Sequence, residues 1–128
     1  MSLGVWLRLG RVSNLPTVWS NVLAALALAG GLTPEPRLLA LAAAFSVFYV
    51  GGMYLNDAFD RHLDAVERPT RPIPSGQVSA RVVFILGFGA LILGTLLTTL
   101  VARSAGASMA RAAGSSAALA ACIILYDV

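Results

Sequence analysis

Asp57, Asp60 and Asp64 recur at intervals of three and four residues, and Asn56 stands beside the first of them. On a single helix these three carboxylates fall within an arc of roughly 60°. Carboxylates held on one edge repel one another unless a cation lies between them. A hard divalent ion such as Mg²⁺ suits that role, because it takes oxygen ligands and shares its shell with substrate phosphates. Asn56 can add a neutral oxygen. Arg68 and Arg71 follow directly, set in Arg68-Pro69-Thr70-Arg71-Pro72-Ile73-Pro74-Ser75-Gly76. Carboxylates alone would repel an anionic substrate, and arginines alone would merely bind one. Interleaved, they describe a metal–diphosphate clamp in which planar guanidinium groups complete the grip. Such a clamp stabilises negative charge on a departing diphosphate. Pro69, Pro72 and Pro74 exclude helix and stiffen the segment, and Gly76 permits a turn. The plainer reading of four acids and four arginines between Asn56 and Arg81 is a solvated loop of ion pairs, each worth little. His62 lies off the acidic edge and reads as interfacial, Arg61 as solvated.

The segments that must position this cluster are apolar. The chain has 128 residues, of which 58% are hydrophobic and 12% charged, with a mean hydropathy of +0.81. These values describe an all-α, polytopic membrane protein rather than a soluble domain. The net charge of +3 does not indicate nucleic acid, because all nine basic residues are arginines placed at the ends of apolar stretches. Cys122 reads as a small packing residue. No cleavable signal is evident.

Four spans are expected. Met1 to Asn14 is amphipathic and suited to the membrane surface. The first span runs from Leu15 to Leu32, with small residues at Ala25, Ala27, Ala29, Gly30 and Gly31. Thr33-Pro34-Glu35-Pro36 makes a turn, and the second span runs from Leu38 to about Phe59. The third covers Val82 to Val101, with Gly87, Gly89 and Gly94 expected at a helix crossing. A fourth starts at Ala112 and continues to about Val128. Arg8, Arg11, Arg61, Arg68, Arg71 and Arg81 fall on one side of this arrangement, and Arg37, Arg103 and Arg111 on the other. The excess places the N-terminus and the aspartates in the cytoplasm, in a cell inner or plasma membrane. The fourth span returns Tyr126 and Asp127 to the same face.

Asn56-Asp57-x-x-Asp60-x-x-x-Asp64 followed by Arg68-Pro69-x-Arg71-Pro72-Ile73-Pro74-Ser75-Gly76 resembles the first aspartate-rich motif of the UbiA-type superfamily of intramembrane prenyltransferases. Arg11-x-x-Asn14-Leu15-Pro16-Thr17-x-x-x-Asn21 is similar to that family's first helix. The resemblance implies a bundle of about nine transmembrane helices. It also implies Mg²⁺-dependent transfer of a polyprenyl group from a prenyl diphosphate to an aromatic or related acceptor, a quinone precursor among them. By this resemblance Asp57, Asp60 and Asp64 are catalytic and hold the metal, with Asn56 beside them. Arg68 and Arg71 take the diphosphate, Asn21 lines the pocket, and Tyr126-Asp127 opens a Tyr-x-x-x-Lys stretch near the site. The family's second aspartate-rich motif has no counterpart here, so residues 1–128 are expected to be the N-terminal part of one membrane domain. The missing C-terminal half is then a partner, and the isolated chain inactive. Phe48, Tyr49, Tyr54 and Phe59 are candidates to face a carbocation. The alternative is a non-enzymatic four-span protein whose charged loop binds a partner or lipid headgroups.

Overall fold

The computed structural model describes residues 2–29 and 35–127. In chain order they form α1 (Leu3–Leu9), a 3₁₀ turn (Val12–Asn14), α2 (Leu15–Leu28), α3 (Glu35–Phe59), α4 (Arg61–Glu67), α5 (Ala80–Ser104) and α6 (Met109–Asp127). Three of these, Pro36–Phe59, Ala80–Ser104 and Met109–Asp127, are long and apolar enough to cross a membrane. At 25 residues each, α3 and α5 reach about 37 Å, which exceeds a hydrocarbon core of ~30 Å. The expected first span is shorter: the apolar helical stretch covers Val12–Leu28. Residues 30–32 of that span and 33–34 of the expected turn lie outside the described residues, while Glu35 and Pro36, also expected in the turn, open α3 instead.

The helix α3 is the hub, packing against α1, α2, α5 and α6, most extensively against α5. Its antiparallel crossing with α5 depends on small residues. A Cβ built on Gly87 would lie 2.7 Å from the Leu55 side chain, and one on Gly94 would lie 2.8 Å from the Phe48 ring. Gly89, expected at the same crossing, points away and has nothing within 4 Å. Without a hydrophobic drive between helices in lipid, close packing of this kind is what holds them together.

Polar links are few. Trp19 Nε1 donates to Ser46 Oγ at 2.9 Å between α2 and α3. The buried hydroxyls of Thr98 and Ser116 lie 2.7 Å apart between α5 and α6. Interhelical hydrogen bonds in membranes average about 0.6 kcal/mol. Ser116→Ala should therefore lower stability by about that amount, read as a small shift in detergent unfolding, with Thr98 still bonded to the Gly94 and Thr95 carbonyls.

A second cluster lies at the aspartate end. Val5 and Leu9 of α1 are buried with Ala58, Val78 and Val83, and Trp6, Tyr54, Ile73 and Phe84 pack around them. The N-terminal helix thus seats its Val5–Leu9 face on protein and exposes Leu3 and Leu7. The amphipathic pattern serves a protein contact on one side and leaves an apolar edge on the other.

Candidate functional site

The helix bearing Asn56 and Asp57 does not run unbroken through Asp64. It ends at Phe59, and Asp60 is the single residue between α3 and α4. The backbone N–H of Asp64 still bonds the Asp60 carbonyl at 2.8 Å, and Asp60 keeps right-handed helical backbone. Among the described residues the three acids expected on one edge do not gather into one group. Asp57 and Asp64 remain together, both buried, at 7% and 2% relative exposure. Asp60 turns to its own neighbour: Asn56 Nδ2 donates to Asp60 Oδ2 at 3.1 Å.

One guanidinium nitrogen joins the buried pair. Arg71 Nη1 donates to Asp64 Oδ2 at 2.6 Å and to Asp57 Oδ1 at 3.2 Å. It occupies the position that a cation shared by the two carboxylates would take. Arg11 approaches from the other side, with Nη2 donating to Asp57 Oδ1 at 3.3 Å and to Asn56 Oδ1 at 3.4 Å. Arg68, one helical turn from Asp64, stays largely exposed with its Nη1 3.9 Å away. Such a contact contributes little.

Local structure explains how the arginines reach. The segment after α4 is a chain of tight turns. Arg71 N–H bonds the Arg68 carbonyl, Ser75 N–H bonds the Arg71 carbonyl, and Gln77 and Val78 N–H both bond Pro72 O. The Ser75 hydroxyl donates to the Arg71 carbonyl at 2.7 Å. Gly76 closes the last turn at φ +75°, a region that disfavours side chains. Ile73 and Val78 anchor the segment against the α1 cluster. Arg11 has left-handed backbone, φ 43° and ψ 45°, between α1 and the 3₁₀ turn. Non-glycine residues adopt this only when their surroundings hold them there, and such strain gathers at functional sites.

An oxygen-only donor set fits a hard divalent ion. The place where two carboxylates already share one positive nitrogen is where such an ion fits. Asp57 and Asp64 could donate to it, and Asp60 and Asn56 lie beside them on the chain. Among the described residues no three His, Cys, Asp or Glu side chains form a ready ligand group. The Asp127 Oδ2 is shielded from solvent and has no hydrogen-bond partner among the described residues.

Behind the charged cluster lies apolar space. A cavity of about 510 Å³ is walled by α2, α3 and α6, with Asn21, Val22, Phe45, Phe48 and Tyr49 among its lining residues. A second, of about 290 Å³, shares Phe48, Tyr49 and Ile123 with the first and reaches Met53, Tyr126 and Asp127. The two make an apolar path along α3 that ends at Tyr126 and Asp127. Tyr126 reaches this path while remaining exposed. Of the four aromatic candidates, Phe48 and Tyr49 line it. Tyr54 packs instead on Trp6, with centroids 5.8 Å apart, and Phe59 on Phe84 at 5.0 Å. His62 is exposed. Arg61 is not simply solvated: its Nη1 donates to the Ala58 carbonyl at 2.9 Å, and its guanidinium sits 5.6 Å over the Phe84 ring.

Sequence spacing had no way to pair Arg11 with Asp57, because the contact spans 46 residues. The available signal was Arg11 at the head of the lead-in to the first apolar helix.

The profile of the UbiA prenyltransferase family matches residues 15–128. The digeranylgeranylglyceryl phosphate synthase of Methanopyrus kandleri is 36% identical over 98 residues, covering 77% of this chain and 36% of the relative. That of Ignicoccus hospitalis is 37% identical over 105 residues, covering 82% of this chain and 34% of the relative. That of Methanothrix thermoacetophila is 48% identical over 54 residues, 42% of this chain and 20% of its own length. The chain thus spans about a third or less of these relatives. No solved structure gives a significant match.

Proposed function

This chain belongs to the UbiA prenyltransferase family and is an integral membrane protein, and we propose that it carries the diphosphate-holding end of a Mg²⁺-dependent prenyl transfer site. The observation that carries this reading is the single nitrogen of Arg71 shared by two buried carboxylates.

In the proposed reaction the C–O bond of a prenyl diphosphate breaks, and diphosphate leaves with the electron pair. The allylic cation is captured by a nucleophilic atom of the acceptor, which then loses a proton. Asp57, Asp60 and Asp64, with Asn56, would hold the divalent ion, which when bound neutralises the leaving group. Arg71, freed from the acids, turns its planar donors to the diphosphate oxygens, and Arg68 adds charge from the rim. Asn21, Phe48 and Tyr49 line the space for the isoprenoid, where aromatic faces favour a cation over neutral carbon. Tyr126 and Asp127 close the same end. The relatives' names favour a glyceryl phosphate acceptor over an aromatic acid or quinone precursor, and so a role in lipid synthesis. The arginine distribution supports an N-terminus and acidic cluster on the cytoplasmic side. A second acid-rich motif, contributed by further helices, would complete the transfer machinery.

The test is binding. The chain in lipid nanodiscs should bind geranylgeranyl diphosphate in a Mg²⁺-dependent manner, and Asp57→Asn should weaken that binding at least tenfold, as expected for a lost contact to a charged group. Binding indifferent both to Mg²⁺ and to Asp57→Asn would overturn the proposal.

A further inference from the structure

A third cavity, of about 270 Å³, lies on the side of Asp57 facing α1, and it is polar. Its walls include Arg8, Arg11 and Arg71, the Asp57 carboxylate, and the neutral side chains of Thr70 and Gln77. It shares none of its lining with the apolar path, and neither Asp60 nor Asp127 contributes to it. Within it, Asp57 Oδ1 accepts from both Arg11 and Arg71.

We propose that this arginine cavity is a separate binding site for a phosphomonoester, the phosphate group of the acceptor molecule. Three guanidinium groups line the cavity with the Asp57 carboxylate, and Asp64 holds Arg71 at 2.6 Å from behind, so one positive charge remains over. A phosphomonoester carries about −1.5 to −2 at neutral pH and meets that surplus together with the unused guanidinium donors. The donors suit it as well. Arg8 makes no ion pair or side-chain hydrogen bond among the described residues, Arg11 donates only through Nη2, and Arg71 only through Nη1. The remaining N–H groups are in the planar pairs that match phosphate oxygens.

The left-handed backbone at Arg11 also finds a reason here. It turns the chain between α1 and α2 so that Arg8, on the helix, and Arg11, beyond it, face one space. Leu9, between them, is 1% exposed and fixes α1 against the α3 end. A phosphate held here shares Arg71 with the proposed diphosphate position, while Arg8 serves the phosphate alone.

The proposal rests on the transferase reading for the identity of its ligand, but its test is independent of prenyl transfer. Binding of glycerol phosphate, of inorganic phosphate and of Mg²⁺-diphosphate to the chain in nanodiscs would be measured by calorimetry, for the native chain and for Arg8→Gln. Arg8 is exposed and unpaired, so the substitution should leave the fold intact, and a melting curve checks this. Arg81→Gln, which removes an exposed arginine outside the cavity, is the charge control. Arg8→Gln should weaken glycerol phosphate about 10- to 100-fold, while Mg²⁺-diphosphate and the Arg81 variant stay within twofold. Preference for glycerol phosphate over inorganic phosphate would identify the acceptor headgroup as the source. Equal weakening of diphosphate would make this the leaving-group site and overturn the proposal, as would no effect of Arg8→Gln on either ligand. Should glycerol phosphate bind through Arg8 while diphosphate does not bind at all, the phosphate site stands and the transferase reading falls.

Discussion

Replacement of Arg71 by alanine should destabilise the chain by about 3 kcal/mol or more, and should do so through Asp64. The Asp64 side chain is 3% exposed, and its Oδ2 is bonded to Arg71 at 2.6 Å. Removing one member of a buried pair leaves an uncompensated charge, which costs roughly 3–5 kcal/mol. Asp57 suffers less, because Arg11 still reaches it at 3.3 Å. A double-mutant cycle should therefore show strong coupling between Arg71 and Asp64, so that Arg71→Ala is partly rescued by Asp64→Asn. The readout is unfolding in mixed micelles. Additive effects would mean that Arg71 is held by its loop alone. If the Arg71 nitrogen stands where a cation binds, millimolar Mg²⁺ with diphosphate should also restore part of the stability lost in Arg71→Ala and not in the double variant.

Gly87→Ile should break the bundle at its centre. The added Cβ alone would come within 2.7 Å of Leu55 and 3.2 Å of the Gly51 carbonyl. Side-chain atoms can yield, but the opposing backbone cannot without separating α3 from α5. Overpacking costs about 1–3 kcal/mol where neighbours adjust, and this site belongs at the upper end or beyond. Gly89→Ile, two residues along the same helix, meets nothing within 4 Å and should be near neutral. The pair separates crossing geometry from helix propensity, since both add the same side chain in the same helix. Because α3 carries Asn56 and Asp57, Gly87→Ile should also abolish diphosphate binding. Gly89→Ile should not.

What the sequence made legible follows from the range of each interaction. Long apolar segments between arginines are local signals, and the helices at Glu35–Phe59, Ala80–Ser104 and Met109–Asp127 appear within a few residues of the expected spans. The short α2 shows the limit: hydropathy through Leu32 says nothing of where helical hydrogen bonding stops. The site was legible as a set of residues and not as an arrangement. A regular repeat of three and four places Asp57, Asp60 and Asp64 on one edge only if the helix is unbroken. Around the break at Asp60, Asp57 and Asp64 share Arg71 while Asp60 accepts from Asn56. Of the interleaved arginines, Arg71 became the central contact and Arg68 stayed at the rim, a difference set by the turns through Pro72 and Gly76. Arg8 and Arg11 read as topological charges, because the contact of Arg11 to Asp57 is made across α2 and most of α3 and Arg8 joins them only in the cavity wall.

The central claim is that the position now held by the Arg71 nitrogen between Asp57 and Asp64 accepts a divalent ion together with diphosphate. Electron paramagnetic resonance of Mn²⁺, used in place of Mg²⁺, reads this without any catalytic turnover. The account predicts saturable Mn²⁺ binding to the chain that requires diphosphate and disappears in both Asp57→Asn and Asp64→Asn. Mn²⁺ binding that persists unchanged in either variant, or that diphosphate does not promote, would contradict it.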